Sequence, residues 1–159
     1  MKGIPAEKGT YILFLRMKAD RILRVGRLGE LTFRRGVHAY IGSALGPGGL
    51  AARIGHHLRV TGRLHWHLDY LRPFAEPAVL WYAESQVRFE HEWASLLASF
   101  FAESTPAPGF GCSDCRCPSH LLHFPRIPAM RDFLRRLPRR NRSAFRLSGI
   151  CIADERVAP

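Results

Sequence analysis

The sequence predicts an α+β domain in which a small antiparallel β-sheet is flanked by helices. Short runs rich in β-branched and aromatic residues lie between glycines and prolines, a pattern typical of strands. Other segments repeat their apolar residues every three or four positions, as amphipathic helices do. Because the predicted strands and helices do not alternate regularly along the chain, the combination indicates the α+β class.

Two of the predicted strands are the most regular. Residues 10–16 (TYILFLR) follow Gly9, and residues 37–42 (VHAYIG) lie between Gly36 and Gly42. Four further segments predict shorter or less regular strands, namely ILRVG at 22–26, ELTF at 30–33, PAVLWYAE at 77–84 and HLLHF at 120–124. The first two of these four are expected to extend a ribbon.

The first helix is predicted from the recurrence of Leu50, Ile54 and Leu58, which places one apolar face on residues 50–59. The turn before it, Gly46-Pro47-Gly48-Gly49, contains strong helix breakers. Three more helices are predicted, a short one at 65–71 (HWHLDYL), a longer one at 87–101 and one ending before Pro138, with a loop at 105–111 (TPAPGFG).

Length and composition favour one folded domain followed by a basic segment. The 159 residues suffice to bury a core, and the arginine-dense composition after Pro125 divides a domain at 1–125 from a C-terminal extension at 126–159. Lys and Arg number 24 against 13 Asp and Glu, a net charge of +11 that favours nucleic-acid partners. Arginine-rich codon usage alone would produce a similar excess.

The chain is expected in the cytoplasm. No apolar run approaches the length that crosses a bilayer, and the N-terminal MKGIPAEKG lacks the apolar region of a secretory signal. The four cysteines, three of them in CSDCRC, do not form the pattern of a secreted disulfide framework. Neither a membrane partner nor an oligomeric state is indicated.

Four residues are predicted to converge on a phosphate. Tyr11 begins one strand and Tyr40 ends another, so antiparallel pairing would place them side by side. On the following helix, Arg53 and His57 are four residues apart and share one side. The glycine-rich turn before that helix is expected to leave backbone N–H groups free for an anion.

These segments resemble the GIY-YIG nucleases. Gly9-Thr10-Tyr11 corresponds to the first motif, with threonine in place of the usual isoleucine, and Tyr40-Ile41-Gly42 is an unaltered second motif. The resemblance is closer still to a subgroup of unassigned function, sometimes joined to endonuclease-III-like glycosylases. Its expected segments occur here as VGRLG, YIGSALGPGGL, HWHLDYL and GFGCSDCRCPSHL, so that the similarity covers about residues 8–124.

The resemblance implies the chemistry of a metal-dependent endonuclease. Arg53 would hold the scissile phosphate, Tyr11 would accept a proton from the attacking water, and Tyr40 and His57 would assist. Because a tyrosine is a weak base at pH 7, the positive surroundings that Arg53, His57 and the metal supply are expected to lower its pKa. The implied substrate-binding residues are Gly42, Ser43, Gly49 and His65.

A glutamate on a later helix would bind the implied metal, Mg²⁺ or Mn²⁺. Glu90, which follows Phe89, fits the family's pattern best, and Glu92 is a competitor on a different side of the helix. In HWHLDYL, the residues His65, His67 and Asp69 would align as metal ligands only on a strand, whereas the predicted helix separates them.

A second candidate metal site is CSDCRCPSH. Its Cys112, Cys115, Cys117 and His120 carry zinc-ligand chemistry, although zinc sites usually draw their ligands from two separated segments. The alternative is a tight loop with reduced, partly buried thiols. A serine often replaces Cys112 in the subgroup, which argues against a site made of all four.

The sequence therefore predicts a GIY-YIG-type endonuclease acting on DNA, with DNA repair or processing as its setting. The alternative is a non-catalytic nucleic-acid-binding module that partners a repair enzyme. The two hypotheses differ in metal dependence, because binding alone would survive the loss of Glu90 or Tyr11. A third possibility, a zinc-stabilised interaction protein, would require zinc at CSDCRCPSH.

Overall fold

A computed structural model of the protein describes residues 3–60, 64–100, 105–142 and 144–152. The strands are β1 (Gly9–Met17), β2 (Arg21–Arg24), β3 (Glu30–Phe33), β4 (Gly36–Ala44), β5 (Ala75–Glu84), β6 (Thr105–Pro106), β7 (Leu121–Phe124) and β8 (Leu147–Cys151). The helices are α1 (Gly49–Leu58), α2 (His67–Leu71), α3 (Glu90–Phe100), α4 (Met130–Arg136) and α5 (Arg139–Arg142). The predicted α+β class is confirmed.

The main sheet has the strand order β6-β7-β4-β1-β5-β8, and every neighbouring pair is antiparallel. The long strand β1 lies at its centre between β4 and β5, where hydrogen bonds on both edges hold its position. The strands β2 and β3, which were expected to extend the ribbon of the preceding strand, instead pair with each other in a separate two-stranded sheet. The ends of β1 and β4 are therefore rigidly placed relative to each other.

Both faces of the sheet are covered. Side chains along β1 alternate between faces, so Leu13 packs with Ile54 of α1 while Phe14 packs in a second core with Trp93 of α3 and Phe133 of α4. The helices α1 and α3 thus lie on opposite faces of one sheet. None of the helices in the described part of the chain has the length and apolar character needed to cross a bilayer.

The segment after residue 125 packs against the sheet. Strand β8, which sequence patterning did not predict, pairs with β5 so that Ile150 lies opposite Leu80. The Phe133 side chain is fully buried, with its ring centroid 5.5 Å from that of Trp93. The boundary at 125 stays a prediction, and residues 101 and 153–159, at the ends of the predicted third helix and extension, lie outside the described residues.

Replacing Phe133 by alanine is expected to lower the free energy of unfolding by about 3–5 kcal/mol, because it leaves a cavity between two tryptophans. Arg131→Ala on the same helix is the matched control, since its side chain is 79% exposed. Urea unfolding of both variants measures the difference. A Phe133→Ala protein as stable as the control would mean that α4 is not part of the cooperative domain.

Candidate active site

A cavity of about 260 Å³ lies at the end of the β1–β4 pair, beside α1 and the start of α3. The residues proposed from the sequence that line it are Tyr11, Tyr40, Gly42, Ser43, Arg53, His65, Glu90 and His120. They come from segments spread over more than 100 residues of chain. Side chains chosen from short motifs therefore meet at one place.

The two tyrosines lie on the same face of the sheet. In the β1–β4 register Tyr11 pairs with Gly42 and Leu13 pairs with Tyr40, so the tyrosines are diagonal neighbours with ring centroids 6.4 Å apart. The predicted side-by-side placement is confirmed. A Cβ atom on Gly42 would lie 2.5 Å from the Tyr11 hydroxyl, so the glycine makes room for the Tyr11 ring.

His57 is connected to the site by a hydrogen bond to Tyr11. It is fully buried behind the cavity wall, and its Nε2 lies 2.9 Å from the Tyr11 hydroxyl oxygen. Burial, with help from the nearby Arg53 charge, lowers the pKa of His57 to about 3. The imidazole is therefore neutral at pH 7, and the expectation that it adds positive charge near Tyr11 is wrong.

The surrounding side chains raise the pKa of Tyr11 well above its ordinary value. Burial is the main cause and the neighbouring Tyr40 adds to it, while Arg53 acts in the opposite direction. Arg53 therefore lowers the Tyr11 pKa less than burial of the phenol raises it, and the neutral His57 adds no charge, so these two residues alone do not produce the expected lowering. Tyr11 is a neutral hydroxyl at pH 7.

Arg53 is held over an aromatic ring. The guanidinium carbon of Arg53 lies 4.3 Å from the centre of the Trp66 ring, a cation–π contact that aims the side chain at the cavity. The Asp69 carboxylate fixes the backbone at Trp66 by accepting its N–H at 2.9 Å and that of His65 at 2.8 Å. Trp66, the residue just before α2, is thus held in a fixed position under the Arg53 side chain.

Asp69, the aspartate of HWHLDYL, is the residue that holds Trp66 in position. Asp69 caps α2 and also lies 3.1 Å from His56 Nε2, and these hydrogen bonds lower its pKa against the opposing effect of burial. His67 instead accepts the Gly111 N–H at Nδ1. The predicted short helix is confirmed, and the metal site considered for His65, His67 and Asp69 is not assembled.

The N-terminus of α1 is not open to an anion. The N–H of Leu50 donates to the Glu7 carbonyl oxygen and that of Ala51 donates to the Pro5 carbonyl oxygen, both at 2.9 Å. The expectation of free amides at this turn is therefore wrong, because the chain's own N-terminal segment satisfies them. Gly49 also lies outside the cavity lining: a Cβ there would sit 2.1 Å from the Ala6 carbonyl oxygen.

Glu90 and Glu92 point to different places. Glu90 is only 7% exposed and lines the cavity, whereas Glu92 Oε1 accepts a hydrogen bond from Asn141 Nδ2. The start of α3 is anchored by Thr10, whose Oγ1 accepts the Phe89 N–H at 3.1 Å. Thr10, the middle residue of Gly9-Thr10-Tyr11, thus holds the helix that carries Glu90.

Two charged residues of the cavity were not proposed from the sequence. Arg88 Nη1 lies 3.2 Å from Glu90 Oε1 and 3.6 Å from Asp114 Oδ2, so that it bridges the two carboxylates of the lining. Arg88 could have been suspected from its place two residues before Glu90. Asp114 carries no such signal, because only the fold brings its loop to the cavity.

The cysteine-rich loop assembles a different ligand set from the one considered. Ligand atoms of Cys115, Cys117 and His120 lie within 4.8 Å of one another together with an atom of His91 from α3. Cys112 is outside this group, because its thiol turns back to the Phe110 carbonyl oxygen at 3.4 Å. The inclusion of Cys112 in the predicted ligand set was therefore wrong, and the prediction missed His91.

Burial and neighbouring thiols shift the pKa values of side chains in this loop. Burial, reinforced by the adjacent Cys115, raises the pKa of Cys112 to about 12 and that of Cys117 to about 11. Burial also lowers the pKa of His120, while Glu90 opposes the shift. The site thus contains a partly buried His/Cys cluster with the chemistry to bind a metal ion, next to the carboxylate of Glu90.

Residues 10–142 match the model of a protein family described as a domain of unknown function, DUF123. The match spans β1 to α5 and therefore includes every residue of the cavity discussed above. No curated protein matches the sequence, and no solved structure does.

Proposed function

Because the chain belongs to the DUF123 family, whose function is unknown, we propose its function from its own cavity: a metal-dependent endonuclease that hydrolyses phosphodiester bonds in DNA. The observation that carries the proposal is the meeting of Tyr11, Tyr40, Arg53 and Glu90 in one cavity, with His57 hydrogen-bonded to Tyr11. The resemblance to the GIY-YIG nucleases assigns a catalytic role to each of these five residues.

A polyanionic substrate suits the charge of the protein. The net charge of +11 favours association with nucleic acid through release of counterions from its phosphates. Within the cavity, Arg53 and Arg88 provide guanidinium groups. Guanidinium groups commonly bind phosphate through bidentate hydrogen bonds. The Trp66 ring under Arg53 limits the rotamers of that side chain, so that less conformational entropy is lost when a phosphate binds.

The Tyr11–His57 pair supplies a route for a proton. In the tautomer of neutral His57 whose Nε2 accepts the Tyr11 O–H, the lone pairs of the phenol oxygen are left for a water molecule in the cavity. As that water attacks phosphorus and the P–O bond to the leaving strand breaks, the water's proton passes to the Tyr11 oxygen while the phenol proton passes to His57. The proton then returns from His57 through Tyr11 to the leaving oxygen. This route avoids a free Tyr11 phenolate, which the raised pKa of Tyr11 disfavours, and the lowered pKa of His57 makes the imidazole hold the proton only transiently.

Glu90 fits the divalent cation that the GIY-YIG resemblance implies. It is a buried carboxylate on the cavity wall, and carboxylate oxygens are the ligands that Mg²⁺ and Mn²⁺ prefer. Such an ion would neutralise charge that develops on the phosphate. Since Asp114 is the other carboxylate of the lining, the protein contributes few ligands, and binding of the ion is expected to be weak.

Replacing Arg53 by alanine is expected to lower the rate of DNA cleavage by about 10²–10³-fold, because it removes the cation placed to stabilise the phosphate. DNA affinity should fall much less, since many basic residues share in binding. Arg59→Ala, at the exposed C-terminal end of α1, is the matched control. Single-turnover cleavage and a binding titration on the same DNA measure both effects. Equal cleavage by the two variants would remove Arg53 from the mechanism.

A further inference from the structure

We infer that His91, Cys115, Cys117 and His120 form a structural zinc site. The four side chains offer two sulfur and two nitrogen ligands, a set that binds Zn²⁺ in tetrahedral geometry. The inference concerns the loop between β6 and β7 and its attachment to α3. It does not depend on whether the protein cleaves DNA.

The ligand atoms lie close to the spacing of a zinc tetrahedron. His91 Nδ1 lies 3.1 Å from Cys117 Sγ, and Cys115 Sγ lies 3.6 Å from His120 Nε2. All four ligand atoms fall within 4.8 Å of one another. Metal–ligand bonds of about 2.0–2.3 Å place the ligands of a tetrahedral zinc about 3.3–3.8 Å apart. Small side-chain adjustments therefore suffice to enclose an ion.

The site draws on two separated parts of the chain. Cys115, Cys117 and His120 come from one loop, and His91 comes from the first turn of α3. This arrangement removes the difficulty of folding four ligands from CSDCRCPSH around one ion, because the fourth ligand approaches from a helix. Four protein ligands would complete the tetrahedron, as in zinc sites that stabilise a fold.

Zinc here would fix one wall of the cavity. His120 lines the cavity, and the other ring nitrogen of His91, Nε2, lies 3.6 Å from Glu90 Oε1. Metal-bound histidines commonly direct their second nitrogen at a carboxylate, which orients both groups. The ion would therefore tie the cysteine-rich loop to α3 and hold the Glu90 side chain in place.

The test is metal analysis of the purified full chain, followed by titration of the chelator-treated protein with Co²⁺ and then Zn²⁺. We expect one zinc per chain, and a Co²⁺ spectrum with tetrahedral bands and a thiolate-to-metal charge-transfer band that one equivalent of Zn²⁺ removes. No DNA is present, so the outcome is separate from any nuclease activity. A folded chain that binds neither metal would overturn the inference.

Variants distinguish this ligand set from the neighbouring thiol. Cys117→Ser and His91→Ala are expected to weaken Co²⁺ binding at least about 100-fold and to change the spectrum, whereas Cys112→Ser should bind as the wild type does. Cys151→Ser controls for the exposed thiol on β8. If Cys112→Ser loses the spectrum and His91→Ala keeps it, the proposed set is wrong. The metal titration of the wild-type protein tests the inference without any variant. A variant that fails to fold therefore does not prevent a clear result.

Discussion

Tyr11→Phe is expected to lower the rate of DNA cleavage by about 10²–10⁴-fold, the range that a positioned acid–base group contributes. The substitution removes only the hydroxyl that hydrogen-bonds to His57 Nε2 and faces the cavity. The ring that packs beside Tyr40 is retained, so the fold should persist. Cleavage rates under saturating protein, compared with those of the wild type, measure the loss.

Tyr82→Phe is the matched control for this prediction. Tyr82 lies directly opposite Tyr11 on the neighbouring strand β5 and is similarly buried, but it does not line the cavity. Its loss of a hydroxyl should leave cleavage close to the wild-type rate. Equal rates for Tyr11→Phe and wild type would show that Tyr11 only packs in the core, and the proton route through His57 would have to be abandoned.

Glu90→Gln is expected to lower cleavage by about 10²–10³-fold and to raise the Mg²⁺ concentration needed for half-maximal rate. The reason is that the amide keeps the shape of the side chain but loses the negative charge that attracts the ion. Glu92→Gln, two residues along the same helix, should change neither quantity, because Glu92 faces Asn141 instead of the cavity. Cleavage measured across a series of Mg²⁺ concentrations compares the two.

The reverse pattern would contradict the assignment of Glu90. If Glu92→Gln lost metal-dependent cleavage while Glu90→Gln retained it, the cavity carboxylate would not be the metal ligand. Thermal unfolding of both variants is the accompanying control, since Glu90 also lies 3.2 Å from Arg88 and its replacement changes a partly buried ion pair.

The part of the site that the sequence predicted rests on local pattern combined with strand pairing. Tyr11 and Tyr40 could be placed because each lies on a strand with a clear apolar pattern, and antiparallel pairing brings such ends together. Arg53 and His57 could be placed on one side of a helix from their four-residue spacing. The fold class followed from the same patterns.

What the sequence could not predict depends on contacts between distant segments. The amides of α1 are occupied by carbonyl groups of Pro5 and Glu7, in a segment with no secondary-structure pattern. The pKa of Tyr11 follows from how completely the fold buries it, which no motif records. His91 joins the cysteine loop only because α3 packs beside it. Strand β8 is short and partly exposed, so its pattern was weak.

The most direct test of the proposed function is cleavage of labelled single-stranded, duplex and branched DNA by the wild-type protein, with and without Mg²⁺ or Mn²⁺. The proposal predicts that at least one of these DNAs is cut, and only when the metal is present. If no substrate is cut while DNA is bound in a salt-sensitive manner with or without metal, the protein is a nucleic-acid-binding module and the endonuclease proposal is wrong.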